Sequence, residues 1–315
     1  MRTRTRTIAR EDVVVPSPSR MAGDVHPRAS MSIVETIWSA AHASWWAPRW
    51  EVFQLAAVVA GAVAVAARDG RLLRPYAVGV TLAAMGAVVL GSGSAWASFV
   101  ARGGRDGLPE LEVAGFGALA GLVAGYATTV WVASGRTSVL VALDALAPAT
   151  GLMTALARIG CFFAGCDFGA PSSVPWALRY PAMTPAFRAQ LDAGLVRATD
   201  THTLPVHPTQ LYEALAGLGV LAIAVAWNRR HRARSRAGSC FVVAMLAYVG
   251  ARFGIDFLRG DLARGALGLT TTQWYGVAIA LGVLLCVVSA RASRRPDDLP
   301  SSPGSHRSRR PTASS

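Results

Sequence analysis

The stretch ALARIGCFFAGCDFGAP, Ala155 to Pro171, closes a long apolar run and places an arginine inside it. The run covers residues 139–163, and about 20 apolar residues are enough for a helix to cross the core of a lipid bilayer. Similar runs recur along the chain, which predicts an all-α integral membrane protein with about seven transmembrane helices. The seven segments lie near residues 51–67, 76–100, 111–134, 139–163, 208–228, 238–258 and 272–290.

Composition favours the same class of protein. Of the 315 residues, 52% are hydrophobic and only 16% are charged, whereas soluble domains average about 25% charged residues. The net charge of +13 comes from arginines in tails and loops. Because these arginines are not interleaved with aromatic residues on one folded face, a nucleic-acid partner is not predicted.

The arginines also predict an orientation, because short loops rich in positive charge stay on the cytoplasmic side. They cluster in the loops after the first, third and fifth apolar segments and just past the seventh. We therefore expect an outside N-terminus and a cytoplasmic C-terminus. The arginines concerned are Arg68, Arg71, Arg74, Arg136, Arg229, Arg230, Arg232, Arg234, Arg236, Arg291, Arg294 and Arg295.

Both ends of the chain are predicted to be tails. The stretches RTRTRTIAR near the start and SSPGSHRSRRPTASS at the end are polar and basic and have no apolar periodicity, which is typical of disordered segments. We therefore expect residues 1–48 and 292–315 to be disordered. The sequence therefore predicts a membrane domain over residues 49–291 between two disordered tails.

The outer ends of three apolar segments bring polar side chains to one layer of the predicted membrane domain. The fourth segment contributes Arg158 in its outer half. In the sixth, spacings of four, four and three residues put the polar side chains on one helical face. The fifth segment enters from the outer side, so its first residues reach the same level. The residues of the fifth and sixth segments are His207, Gln210, Tyr212, Glu213, Tyr248, Arg252, Asp256 and Arg259.

Arg158 and Arg252 can be interpreted in two ways. An ionisable residue inside a membrane costs about 2.5–3.5 kcal/mol on insertion scales and usually marks a substrate path. Two guanidinium groups at one depth favour an anion, and their planar fork fits the phosphate of a phospholipid head group. Alternatively, Arg252 with Asp256 and Arg158 with Glu213 form buried salt bridges that tie helices together.

The aromatic candidates also have a structural alternative. His207 precedes the start of the fifth segment, so it is either a functional base or a loop residue. Tyr212 and Tyr248 are either site residues or anchors at the membrane interface.

The glycines and cysteines near Arg158 complete the candidate region. Gly160, Gly165 and Gly169 allow close approach of a backbone or a ligand. Cys161 and Cys166 are five residues apart, a spacing that does not predict a metal site. A disulfide is conceivable on the oxidising side of the membrane, but an intervening helix would hold the two cysteines too far apart.

Three motifs follow one another along the chain. They are ARIGCFFAGCDFGAPSSVPWALRYP, then VHPTQLYEA, then AYVGARFGIDFLRGD followed by TTTQW. Together they resemble the prolipoprotein diacylglyceryl transferase family of bacteria. The resemblance covers roughly residues 50–290. It implies that Arg158 is the family's signature arginine, that His207 to Glu213 form its His-Pro-Ser-Gln-Leu-Tyr-Glu motif, and that Tyr248 and Arg252 match its sixth helix. Asp256 matches the acidic residue that follows.

This resemblance implies transfer of the diacylglyceryl group of phosphatidylglycerol to the lipobox cysteine of prolipoproteins, the first step of lipoprotein maturation. The expected partners are phosphatidylglycerol, lipobox-containing preproteins and membrane lipid in the bacterial plasma (inner) membrane, with no metal or organic cofactor. We expect Arg158, Arg252, His207 and Tyr248 to be catalytic. The expected substrate-binding residues are Arg158, Gly160, Cys161, Gly165, Gly169, Gln210, Tyr212, Glu213, Asp256 and Arg259.

The sequence departs from the family pattern near the expected site. Phe116 replaces the histidine implicated in thiol activation, Cys161 replaces an asparagine, and Cys166 replaces an acidic residue. His207, Glu51 or Asp167 are the alternative bases. The competing functions are a non-catalytic phospholipid-binding or transport paralogue and a related phospholipid transferase with another acceptor.

Overall fold

A computed structural model describes residues 33–42, 50–101, 115–230, 236–262 and 264–292, and within these ranges nearly all regular structure is helical. Apart from short 3₁₀ turns, nine segments of the described residues form α-helices. They are α1 (Ile33–His42), α2 (Trp50–Ala66), α3 (Leu73–Ala101), α4 (Gly115–Ser134), α5 (Arg136–Ala164), α6 (Pro185–Asp192), α7 (Thr209–Arg230), α8 (Ser239–Ile255) and α9 (Thr271–Ala292).

The prediction of an all-helical membrane protein is confirmed. A helix occupies each of the seven predicted apolar segments. Five helical stretches are long and apolar enough to cross a bilayer, and the apolar parts of α2 and α9 are shorter. These are the properties of a multi-pass membrane protein.

Helix α1 corrects the prediction that residues 1–48 are a disordered tail. Trp38 is 7% exposed, and its indole Nε1 donates a hydrogen bond to the carbonyl of Phe162 at 3.1 Å. Its ring stacks on His42 at 3.7 Å and meets Tyr180 edge-on. These aromatic contacts attach α1 to the rest of the protein. The rest of the two predicted tails lies outside the described residues, apart from Ala292 at the end of α9.

Helix α5 lies at the centre of the bundle and packs against α2, α4, α7 and α8. Its approach to α7 is close because both helices present glycine at the crossing. A Cβ atom on Gly151 would lie 2.7 Å from the carbonyl oxygen of Gly217, and one on Gly217 would lie 2.8 Å from that of Gly151. The glycine pair therefore sets the distance between the two helices that carry Arg158 and Glu213.

Helices α3 and α4 pack backbone to backbone along a glycine seam. A Cβ atom on Gly86 would lie 2.5 Å from the carbonyl oxygen of Gly117. A Cβ atom on Gly121 would overlap the backbone of Leu82, with its carbonyl carbon at 2.6 Å. Side chains larger than hydrogen have no room along this seam.

Helix α8 is tied to α5 at its first turn. The Asp144 carboxylate accepts hydrogen bonds from the backbone N–H of Gly238 at 2.7 Å and of Phe241 at 2.9 Å. These are N–H groups that a helix start leaves without a partner inside the helix. A carboxylate at this position also interacts favourably with the helix dipole.

The connection between α5 and α7 forms a packed cap over one end of the bundle. It contains α6 and isolated antiparallel bridges, among them Leu178 with Val206. Leu178, Tyr180 and Val206 are fully buried and form a cluster with Trp38 and Phe162. The cap thus encloses the end of α5 at which Arg158 lies.

Candidate functional site

Charged side chains from separate parts of the chain converge beneath the cap. The C-terminal ends of α5 and α8 and the N-terminal end of α7 meet there, together with the loop after α5 and the turns after α8. Three arginines and four carboxylates form one connected network, which has a formal charge of −1. Its members are Arg158, Asp167, Glu213, Arg252, Asp256, Arg259 and Asp261.

Glu213 is the centre of this network. Its side chain is 1% exposed, and its carboxylate contacts three guanidinium groups. Arg158 Nε lies 2.6 Å from Oε2, Arg259 Nη1 lies 3.1 Å from Oε1, and Arg252 Nη1 donates to Oε1. A buried carboxylate is tolerated only when it is paired in this way. Glu213 therefore fixes the relative positions of all three arginines.

Arg252 is held from a second side by Asp256, one helical turn further along. Its Nη2 lies 3.1 Å from Oδ1 of Asp256, and that carboxylate is fully buried. Oδ2 of Asp256 accepts hydrogen bonds from the hydroxyls of Thr270, at 3.2 Å, and Thr272. The start of α9 thereby joins the network.

The two salt bridges that the sequence offered as a structural alternative, Arg158 with Glu213 and Arg252 with Asp256, are both present. Arg259 and Asp261 extend the network, since Arg259 Nε lies 2.7 Å from Oδ1 of Asp261. Sequence reasoning missed Asp261, although its position two residues after Arg259 was the available signal. The arginines are thus positioned by carboxylates.

Asp167 bridges Arg158 and Arg259 from the loop after α5. Arg158 Nη1 lies 2.6 Å from Oδ2, and Arg259 Nη2 lies 2.6 Å from Oδ1. Burial acts to raise the pKa of this carboxyl, but the two guanidinium groups outweigh burial and hold its pKa well below the ordinary value. Asp167 is therefore ionised and hydrogen-bonded at both oxygens, which makes it a poor general base.

The backbone of this loop is pinned to the start of α7. Thr209 Oγ1 donates to the carbonyl of Asp167 at 2.7 Å, and Gln210 Nε2 donates to the carbonyl of Cys166 at 2.5 Å and to the hydroxyl of Tyr180 at 3.0 Å. Gln210 is fully buried. Its amide holds the loop in place.

Gly165 explains the arrangement of the two cysteines. It has a φ of 74°, a left-handed conformation that ends α5, and its N–H donates to the carbonyl of Cys161. The chain folds back, so the sulfur atoms of Cys161 and Cys166 and a carboxylate oxygen of Asp167 lie within 4.8 Å of one another. The expectation that a helix separates the cysteines was wrong, because the helix ends between them.

Both thiols are free. A hydrogen bond with Cys161, followed by burial, raises the pKa of the Cys166 thiol. A metal ion shared with Asp167 would compete with the two guanidinium groups that already occupy both carboxylate oxygens. The cluster is therefore better described as a pair of free thiols beside an ion pair.

The other two glycines of the motif serve close packing. A Cβ atom on Gly160 would lie 2.7 Å from Cβ of Phe53 in α2. One on Gly169 would lie 2.5 Å from both Cβ and the carbonyl oxygen of His207. Gly169 therefore brings the loop after α5 against the residue that precedes α7.

His207 lies beside the charged network in a polar group of its own. Its Nδ1 is 3.2 Å from the hydroxyl of Tyr212, and the same hydroxyl accepts a hydrogen bond from Nε1 of Trp176 at 2.6 Å. Partial burial lowers the pKa of His207, which favours the neutral imidazole. With the proton on Nδ1, Nε2 is the free basic nitrogen. Trp176 was missed by sequence reasoning because nothing in its local pattern marks it.

The remaining candidates are Tyr248, Glu51 and Phe116. Tyr248 is half-buried one turn before Arg252 and packs against the cluster that contains Val220 and Ala244. Glu51 is exposed at the start of α2. The side chain of Phe116, in the first turn of α4, lies outside the described part of the structure.

Comparison with known proteins gives consistent matches. The sequence model described as prolipoprotein diacylglyceryl transferase matches residues 105–289, more than half of the chain. The "Phosphatidylglycerol--prolipoprotein diacylglyceryl transferase" of Frankia alni is 34% identical over 182 residues, which are 57% of this chain and 44% of the relative. That of Frankia casuarinae is 34% identical over 200 residues, 62% of this chain and 45% of the relative.

A third relative, "Phosphatidylglycerol--prolipoprotein diacylglyceryl transferase 2" of Streptomyces coelicolor, is 35% identical over 153 residues, 49% of this chain and 44% of the relative. The chain thus spans less than half the length of these curated relatives. The matched range 105–289 includes every residue of the charged network and of the His207 group.

Proposed function

Because the chain belongs to the prolipoprotein diacylglyceryl transferase family, we propose that it transfers the diacylglyceryl group of phosphatidylglycerol to the lipobox cysteine thiol of prolipoproteins. The observation that carries this proposal is the convergence of Arg158, Arg252 and Arg259 at one end of an apolar helix bundle. A multi-pass protein with guanidinium groups at that depth is suited to a phospholipid phosphate.

The proposed setting is a bacterial inner membrane that all seven apolar helices cross. Arg68, two residues past α2, and Arg230, at the end of α7, lie away from the charged network, and the positive-inside rule assigns such ends to the cytoplasm. The N-terminus is then outside, the C-terminus is cytoplasmic, and the network faces the outer leaflet. The helical part of residues 49–291 forms the transferase domain.

The proposed reaction is a substitution at the glycerol carbon that bears the phosphate. The sulfur of the acceptor cysteine, as thiolate, forms the new C–S bond, while the C–O bond to phosphate breaks and its electron pair leaves on glycerol phosphate. Positioned guanidinium groups stabilise this developing charge in a site of low dielectric constant. Arg158, at 16% side-chain exposure, is the arginine through which a head group reaches the network.

The proton of the acceptor thiol needs a base, and His207 is the best placed among the described candidates. Its position before α7 leaves it half-buried, so an acceptor peptide can approach from the aqueous side. The Tyr212 hydroxyl orients the imidazole, and Trp176 orients that hydroxyl in turn. This arrangement compensates for Phe116, which stands where the family has a histidine. Tyr248 is proposed to line the lipid side of the site.

The test uses the full chain reconstituted in vesicles that contain phosphatidylglycerol with labelled acyl chains, together with a lipobox peptide. We expect a peptide carrying a diacylglyceryl thioether, detected by mass spectrometry. Arg158→Ala and Arg252→Ala should each reduce product formation by about 10²–10³-fold, as for loss of a charge-stabilising donor. Arg230→Ala, at the far end of α7, is the matched arginine control and should retain activity.

Two outcomes contradict parts of the proposal. Binding of phosphatidylglycerol that depends on Arg158 but yields no thioether would identify a non-catalytic phospholipid-binding paralogue. An Arg230→Ala variant as impaired as Arg158→Ala would show that the charged network is not the site.

A further inference from the structure

Every arginine of the charged network is already paired with carboxylates, so a lipid phosphate that uses the same N–H donors must displace a carboxylate. The four carboxylates differ in how much of the side chain is exposed. The side chains of Glu213 and Asp256 are 1% and 0% exposed, whereas those of Asp261 and Asp167 are 22% and 27% exposed. Asp167 is the most accessible of the four.

Asp167 also has the geometry of a substitute for phosphate. One carboxylate oxygen binds Nη1 of Arg158 and the other binds Nη2 of Arg259, each at 2.6 Å. The two non-bridging oxygens of a phosphodiester can bridge two guanidinium groups in the same way, with one oxygen on each. Asp261, by contrast, contacts Arg259 alone.

The side chain of Asp167 can leave without any movement of the loop. Its backbone carbonyl is held by Thr209, and the neighbouring Ala170 N–H donates to the carbonyl of Leu258 at 2.7 Å. The φ of Asp167 is 56°, a left-handed conformation that aspartate and asparagine tolerate better than most residues. Because these contacts are made by the backbone, rotation about χ1 of Asp167 would release both guanidinium groups without breaking them.

We propose that Asp167 is an internal counterion that occupies the phosphate site of this chain and is displaced when the phosphate of an anionic phospholipid binds to Arg158 and Arg259. This inference rests on the proposed function, since it concerns how the same site admits phosphatidylglycerol. Glu213 stays in place during the exchange and keeps the three arginines in position. The exchange replaces one anion by another, so the charge of the site is unchanged when lipid binds.

The experiment measures binding of short-chain phosphatidylglycerol, with short-chain phosphatidylcholine as reference, to the detergent-solubilised full chain. Asp167→Asn removes the competing charge and keeps the size and backbone preference of the residue. We expect it to bind phosphatidylglycerol about tenfold more tightly than the wild type, which corresponds to the loss of one competing ion pair. Asp167→Gly, which also accommodates a positive φ, should show the same gain.

Matched controls separate displacement from a general change of charge. Asp261→Asn removes one negative charge from the same network but releases Arg259 alone, so its gain should be roughly two- to threefold. Asp192→Asn, at the end of α6 and outside the network, should leave the affinity unchanged. Unfolding temperatures of all variants show whether each one is folded.

Equal or weaker binding by both Asp167→Asn and Asp167→Gly, in folded protein that still prefers phosphatidylglycerol, would overturn the inference and leave the proposed function standing. An equal gain in Asp261→Asn would also overturn it, because charge alone would then explain the effect. If neither wild type nor variants prefer phosphatidylglycerol to phosphatidylcholine, the proposed function fails, and the inference fails with it.

Discussion

The glycine seam between α3 and α4 and the charged network at the junction of α5, α7 and α8 hold helices together in opposite ways. In the seam, backbones touch because Gly86, Gly117 and Gly121 leave no side chain between them. At the junction, long side chains reach across the gap and meet at the Glu213 carboxylate. Contact along the seam depends on the small volume of glycine, and contact at the junction depends on attraction between opposite charges.

This difference distinguishes a contact that serves helix packing from one that is suited to chemistry. Close backbone packing gains dispersion energy and is indifferent to ionisation. A buried ionic network is less favourable as a means of holding helices, because desolvation offsets most of the attraction. We therefore propose that the polar groups of the junction are kept for function, and we expect substitutions in the two regions to have different consequences.

The largest effect is expected from Glu213→Gln. The substitution keeps the shape of the side chain but leaves three guanidinium groups without their shared carboxylate. Removal of one partner from a buried ion pair typically costs about 3–5 kcal/mol, so we expect a large drop in the unfolding temperature and loss of transfer activity. Thermal unfolding in detergent measures the first and the vesicle assay the second. A variant with wild-type stability would show that the junction does not hold the helices.

His207→Ala should affect chemistry without affecting the packing of either region. Loss of a general base lowers rates by about 10²–10⁴-fold, and the half-exposed position of His207 predicts little change in unfolding temperature. Because the pKa of His207 is lowered, the wild-type rate should fall only as the pH drops below about 6.5, the ordinary value. This acidic limb of the pH–rate profile should be absent in His207→Ala.

Phe116→His, in α4, is a second test of whether His207 is the general base. If His207 has taken over thiol activation, this variant should partly restore the rate in a His207→Ala background. Full activity of His207→Ala alone would rule out His207 as the base.

Gly121→Val tests the seam. A valine side chain would overlap the backbone of Leu82, and overpacking typically costs about 1–3 kcal/mol. We expect a lower unfolding temperature while the folded fraction keeps its affinity for phosphatidylglycerol. Gly219→Val, on α7 where a Cβ atom meets nothing within 4 Å, is the matched control. Loss of lipid affinity in folded Gly121→Val would break the separation between the two regions.

The smallest effect is expected from Tyr212→Phe. It removes the hydroxyl that orients His207 but leaves the ring, and the net value of one hydrogen bond is about 0.5–1.5 kcal/mol. The rate of transfer should fall by less than about tenfold, with binding of phosphatidylglycerol unchanged. A change in lipid affinity would instead make Tyr212 part of the head-group site.

Hydrophobic patterning predicted the positions of the seven apolar helices, because a bilayer demands long apolar segments whatever their neighbours are. It did not predict α1, whose order depends on the contact of Trp38 with distant residues. Helical spacing also predicted that Arg252 and Asp256 share a face. It could not predict that Glu213 joins three arginines, since that depends on how α5, α7 and α8 pack.

The neighbourhood of Cys161 and Cys166 could not be predicted from spacing alone, because one left-handed residue, Gly165, decides where α5 ends. The same turn determines the position of Asp167, which the comparison with the family pattern had offered only as an alternative base. In both cases a local backbone conformation outweighed the helical periodicity on which the prediction rested.

The contact of Asp144 with the start of α8 has a consequence for the response of the protein to bilayer thickness. Helix α8 is fastened to α5 at its first turn by Asp144 and is joined to α5 and α7 at its far end through Arg252 and Glu213. It cannot slide along its neighbours when hydrophobic mismatch changes. Mismatch is then met by tilting of the bundle or by deformation of the surrounding lipid, and the arginines keep their registry with one another in thin and thick membranes alike.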